Sequence, residues 1–163
     1  MDGNAFVYTV YIETTPEKLW QGLTDPAFTR RYWGAEFTTD WAVGSAMTWE
    51  ERGAKVADPA QIVLESEPCR RLSYPWHTFT REWAKAVGVD EGTRAEIAAE
   101  RRSKVAFEIE ALGEVVRLTV VHDGFEPGST VREMIRHGWP AIVSSLKTLL
   151  ETGQALPEAE PAG

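Results

Sequence analysis

The chain has 163 residues, a net charge of −8 and 43% hydrophobic content, the dimensions of one domain whose folding buries roughly 70% of the unfolded surface. A lone cysteine, Cys69, excludes an intramolecular disulfide, no apolar run approaches the roughly 20 residues of a membrane span, and nothing ahead of Phe6 resembles a secretory leader, so a cytoplasmic protein without membrane contact is expected. Acidic charge spread along the chain repels phosphate backbones and excludes nucleic acid as a partner, whereas seven tryptophans require a core, a pocket or an interface rich in large rings.

Residues Phe6 to Glu13 alternate, with Tyr8, Val10 and Ile12 on one face, and predict a strand. Thr15-Pro16-Glu17 supplies a capping hydroxyl, a first-turn proline and an acid, and Leu19, Trp20 and Leu23 follow at helical spacing. Thr24-Asp25-Pro26 ends that helix and opens another carrying Phe28, Tyr32 and Trp33. From Glu36 to Leu72, short β-prone pieces are separated by turn signals at Val43-Gly44, Arg52-Gly53 and Asp58-Pro59, the punctuation of an antiparallel meander. Its inward sets are predicted as Met47 with Trp49, Ile62 with Leu64, and Leu72 with Tyr74 and Trp76.

Thr80 to Arg102 is charged, alanine-rich and free of β-branched runs, and Phe79, Trp83 and Val87 recur every four residues, which predicts a helical insertion over about 80–102. Val105, Phe107 and Ile109, a turn at Leu112-Gly113-Glu114, and then Val116, Leu118, Val120 and His122 make the clearest hairpin. Trp139, Ile142, Val143, Leu146, Leu149 and Leu150 form one wide apolar stripe on a helix that stops at Gly153. Pro140 either begins this helix after Gly138 or kinks one that began near Thr130. Residues 154–163 are expected to be a flexible tail after a single domain spanning 1–153.

These elements predict an α+β chain of the helix-grip kind: a curved antiparallel sheet of six to seven strands wrapped around the long C-terminal helix, with two short helices after the first strand. Twelve helical residues span roughly 18 Å, about one strand length, so the sheet can curl around them. The early helices close only one end of that curl, and the volume beside the long helix stays open unless large side chains fill it.

The segments VYIETTPEKLWQGLTDP, VLESEPCRRLSYPW, SKVAFEIEALG and GWPAIVSSLKTLLETG resemble the START-like superfamily, specifically the branch named after the activator of the heat-shock-protein ATPase. The resemblance runs from Phe6 to Gly153. It implies the helix-grip fold and a cavity that, across the superfamily, takes lipids, polyketides, plant hormones or other hydrophobic molecules. A minority of members catalyse cyclisation or hydration there, and the eponymous branch includes chaperone co-activators. No catalytic motif is shared, so none is carried over. The insertion after Trp76 departs from the minimal pattern and stands where it would cover the cavity mouth.

His122 ends an inward-facing strand row, so its imidazole is placed to act as a general acid or base or to hydrogen-bond a ligand; the bland alternative is a satisfied structural histidine. Tyr8 and Tyr74 face inward, as lining phenols or as core. Trp33, Trp49, Trp76 and Trp139 come from four elements that the grip brings together, where they would stack on a planar aromatic ligand or simply pack. Phe107 and Val120 on the hairpin, with Ile142, Val143 and Leu146 on the long helix, complete the candidate lining. Glu36, Glu50, Glu51 and Glu65 read as solvated, Ser144 and Ser145 as back-bonded helix serines. Cys69 is flanked by Arg70, which would acidify its thiol, although a lone cysteine is usually inert. No His, Cys or carboxylate pair has ligand spacing, so neither a metal nor another cofactor is expected.

The expected function is therefore binding of a small hydrophobic molecule, aromatic, polyketide-like or lipid-like, between sheet and C-terminal helix. A cyclase or hydrolase using His122 with a cavity tyrosine, and a chaperone- or regulator-interacting module, are the alternatives; a homodimer is left open.

Overall fold

The structure, a computed structural model, describes residues 4–157. β1 (Phe6–Ile12) exposes Val7 and Tyr11 and turns Tyr8, Val10 and Ile12 inward, as its alternation dictates. α1 (Pro16–Thr24) starts where the Thr15 hydroxyl accepts the Lys18 N–H at 3.2 Å, and α2 (Pro26–Tyr32) where Asp25 accepts the Ala27 N–H at 2.9 Å. Each cap satisfies an amide that helix geometry leaves without a partner. Trp33 follows as the C-cap of α2.

Among the described residues eight strands form two antiparallel sheets where the sequence predicts one of six to seven. β2 (Ala35–Thr38), β3 (Thr48–Glu51) and β4 (Ala54–Val56) pair in that order. β5 (Glu65–Glu67), β6 (Arg71–Pro75), β7 (Lys104–Leu112) and β8 (Val115–Asp123) join β1 in a curved sheet ordered β1-β8-β7-β6-β5. Segments 44–47 and 61–64 connect the sheets through a lone bridge between Ala46 and Ile62. Gln61 pins this corner from within: its amide donates to the carbonyls of Met47 and Val56 at 3.2 and 2.9 Å and accepts the Thr78 N–H at 3.2 Å. Because Gln61 must face inward to do this, Val63 is the next buried residue, and the predicted inward pair is displaced: Ile62 is half-buried and Leu64 is 36% exposed. A one-residue shift moves every side chain of a strand to the other face.

The register of the larger sheet sets two inward rows. Tyr8, Val120, Phe107 and Leu72 lie side by side across four strands, and Phe6, His122, Val105 and Tyr74 form the next row. The insertion is two short helices, α3 (Arg81–Val87) and α4 (Glu91–Ala98), capped by Thr80 and Asp90. α5 (Thr130–Thr152) begins at Ser129, so Pro140 interrupts a helix already running rather than starting one. Lacking an N–H, Pro140 leaves the Arg136 carbonyl without its helical donor. The Glu100 carboxylate accepts the N–H of Thr130 at 2.9 Å and the Ser129 hydroxyl at the positive end of α5, where an anion is favoured. Val131, Ile135, Trp139, Val143, Leu146 and Leu149 make the buried stripe of α5.

Of the predicted tail, Leu156 donates its N–H to Ser145 Oγ at 3.1 Å and Ala155 packs on the core; residues 158–163 lie outside the described residues. Among the described residues no helix is long and apolar enough to cross a membrane.

Candidate functional site

A cavity of about 160 Å³ lies between the first half of α5 and the smaller sheet with α3. Trp33 from the end of α2, Trp49 from β3, Trp76 just after β6 and Trp139 from α5 all reach it. Their rings touch: Trp33 stands 6.0 Å from Trp49 and 5.3 Å from Trp139, and Trp76 stands 4.9 Å from Trp49 and 5.7 Å from Trp139, centroid to centroid. Ile142 completes the set of sequence-predicted residues that line the cavity. On α5 the wall includes Gly138, where an added Cβ would meet nothing within 4 Å. A glycine inside a helix costs about 1 kcal/mol relative to alanine, and no close packing here requires it.

The insertion supplies the far wall. Phe79, just before α3, and Trp83 on α3 pack 5.2 Å apart and both line the cavity. The Trp83 indole donates to Glu51 Oε1 at 3.1 Å. Glu51 is thus not the solvated glutamate that strand alternation predicts: the Arg52-Gly53 turn, with both residues at positive φ, ends β3 beside α3 and folds its carboxylate against the cavity. Burial raises its carboxyl above the usual range, opposed by the Trp83 bond and the charge of Arg52.

His77 also lines the cavity, its ring 4.7 Å from Trp49 and 4.9 Å from Trp83. Its Nδ1–H donates to the Thr78 carbonyl at 2.7 Å, and burial lowers its basicity to about 4, so the ring is neutral near pH 7. The indole N–H of Trp49 is sealed from solvent and has no partner among the described residues, an uncompensated donor inside the cluster. Local pattern gives no sign of Glu51 or His77; the four-residue recurrence of Phe79 and Trp83 is the one signal that marks the insertion as amphipathic.

The remaining predicted residues face inward but stand away from the cavity. His122 is fully buried: the Trp139 indole donates to its Nδ1 at 3.0 Å, which makes Nε2 the protonated nitrogen and directs it to Ser103 Oγ at 2.8 Å. With both nitrogens engaged and burial, then Lys104, lowering its basicity to about 3, this imidazole orients Trp139 and does not open onto the cavity. Tyr74, Phe107, Val120, Val143 and Leu146 belong to the buried core, and Tyr8 packs half-buried beside Phe6. Burial and Glu17 push the Cys69 thiol up, the reverse of the acidification expected from Arg70. Among the described residues no three His, Cys, Asp or Glu side chains gather to hold a metal ion.

Comparison with known proteins follows the same architecture. The family model described as activator of Hsp90 ATPase homolog 1-like protein matches residues 13–151. Among solved structures, the protein MLL2253 from Mesorhizobium loti is 26% identical, with 90% of this chain and 96% of that one covered at a TM-score of 0.69. The Aha1 dimer from Colwellia psychrerythraea is 17% identical over 93% of this chain and 98% of its own, at 0.67. DynU16, of the dynemicin biosynthetic locus, is 18% identical over 93% of this chain and 49% of its own, at 0.64. At those last two identities the likeness is one of fold. No curated protein matches the chain.

Proposed function

The chain belongs to the family of activator of Hsp90 ATPase homolog 1-like proteins, and from that premise we propose that it binds a small hydrophobic molecule in the cavity beside α5. The observation that carries this reading is the convergence of Trp33, Trp49, Trp76 and Trp139, from four separate elements, on an open volume of about 160 Å³. Apolar cavities of that size hold roughly one ring, and whole small-molecule sites run from about 300 Å³ upward. A polyketide- or lipid-sized ligand would therefore place only its head inside. The membership of DynU16 in a biosynthetic locus is in keeping with a ligand-handling role.

Acid–base chemistry at His122 has less support, since both of its nitrogens are already bonded within the protein. The chaperone-regulator reading draws on the family's name alone. Self-association belongs to the proposal because the Colwellia psychrerythraea Aha1 structure is of a dimer; sedimentation that gives a monomer at every concentration removes it.

Titration with compounds of one or two rings is expected to quench tryptophan emission, and Gly138→Leu, which projects a side chain into open space, to abolish the quenching while the fold persists. Unchanged emission with every compound, or equal quenching in the Gly138→Leu variant, would overturn the reading.

A further inference from the structure

The walls of the cavity specify more than hydrophobicity. Among the described residues, six aromatic rings, those of Phe79 and five tryptophans, line it together with one acidic group, the Glu51 carboxyl. His77, the other ionisable side chain of the wall, is neutral near pH 7.

Ring geometry decides what shape fits. A flat aromatic ligand needs two parallel walls about 7 Å apart, twice the contact distance of carbon on carbon. The near-parallel pairs among the described wall residues, Trp33 with Trp76 at 25° and Trp76 with His77 at 29°, have centroids only 6.2 and 5.8 Å apart, too close to admit a ring between them. The other pairs cross steeply, Trp33 on Trp49 at 81°, Trp49 on Trp76 at 75° and Trp76 on Trp139 at 62°. Crossed walls make a box rather than a slot, and a box suits a rounded group.

Charge decides what kind of rounded group. The face of an indole is its negative side, and a cation seated against several such faces is attracted more strongly as water is removed. Glu51 places a carboxyl group at the wall: the Trp83 indole donates to Oε1 at 3.1 Å and leaves Oε2 for a ligand, and a cation seated there favours the ionised form against the burial that raises its pKa. A neutral occupant would leave this carboxylate partly desolvated, with the charge of neighbouring Arg52 as its only offset among the described residues. The Trp49 N–H, which would favour an acceptor, is sealed off. The overall charge of −8 draws cations toward the molecule and repels anions.

Resting on the reading that this cavity binds a ligand at all, we infer that its occupant carries an organic cation, a methylated ammonium or a similar rounded onium group, enclosed by the tryptophans with Glu51 as its counter-ion.

The test uses a shape-matched pair, phenyltrimethylammonium and tert-butylbenzene, which differ only in nitrogen against carbon and hence in charge. Calorimetric or fluorescence titration of the full chain is expected to give affinity for the cation at least about tenfold above that for the neutral isostere. Glu51→Gln keeps an oxygen to accept the Trp83 N–H and is expected to reduce the ratio of the two affinities about tenfold. Because both ligands are measured on the same variant, loss of folding cannot imitate that change. If tert-butylbenzene binds as tightly as the cation, or the ratio survives in Glu51→Gln, the cation assignment falls and the hydrophobic cavity stands. If neither compound binds, the ligand-binding reading falls with it.

Discussion

His77 and His122 both pack against the ring of Trp76, 5.8 and 4.7 Å away, and both are held neutral by burial, at about 4 and about 3. In the unfolded chain each would titrate near 6.5. Below that value the unfolded state binds more protons than the folded one, so the stability these rings contribute is complete above about pH 6.5 and is lost as pH falls toward 4. Glu51, with its raised carboxyl, pulls the other way, which makes a variant comparison the clean measurement. Urea midpoints are expected to fall between pH 7 and 4.5, and His122→Ala to flatten that dependence; equal slopes in both proteins would refute the assignment. At pH 7 the same substitution strands the Trp139 N–H and the Ser103 hydroxyl and opens a void, with an expected cost of about 3 kcal/mol. Strand alternation puts this imidazole on the inward face, where it is buried, but gives no depth, because alternation reports which side a residue faces and not how far into the core it lies. For the same reason Tyr74, Phe107 and Val120 face inward yet stand behind the cavity wall, and the helical period of α5 likewise gives the side but not the depth of Val143 and Leu146.

α5 carries two residues that weaken a helix, Gly138 and Pro140, on either side of the cavity-lining Trp139. Gly138 has helical backbone and open space at its Cβ, so Gly138→Ala is expected to raise stability by about 1 kcal/mol. A guanidinium unfolding curve unmoved by that change would show that the glycine meets a packing need. The apolar stripe from Trp139 to Leu150 was legible because its 3.6-residue period is long and uninterrupted. Its continuation back through Ile135 to Val131 was obscured by the proline, which normally marks a boundary. The wall supplied by Glu51 and Trp83 was illegible for another reason. It exists only because the end of β3 and the start of α3 meet in space, 32 residues apart in sequence, and no local pattern encodes that meeting.

The molecule as a whole is built from two sheets of unequal strength. β7 and β8 pair over nine residues and β1 adds seven more, whereas β2, β3 and β4 are three or four residues long and are tied to the rest by the Ala46–Ile62 bridge, the Gly44 N–H to Val63 carbonyl bond, the Gln61 amide and the Trp83–Glu51 bond. Native-state hydrogen exchange is expected to show the smaller sheet opening at lower free energy than β1, β7 and β8; uniform protection of both would contradict this division. Helix order, hairpin and grip were all readable beforehand, but the split into two sheets was not, since it depends on how Gln61 turns a corner inside an apparently continuous meander. The contact among Trp33, Trp49, Trp76 and Trp139 has a spectroscopic corollary. Indoles with centroids 4.9 to 6.2 Å apart and held at fixed angles share their electronic excitations, so the near-ultraviolet circular dichroism should carry an exciton couplet belonging to the cluster rather than to any one ring. Replacing any one of the four by phenylalanine should erase part of that couplet, which makes the native protein its own optical gauge of whether the box is assembled.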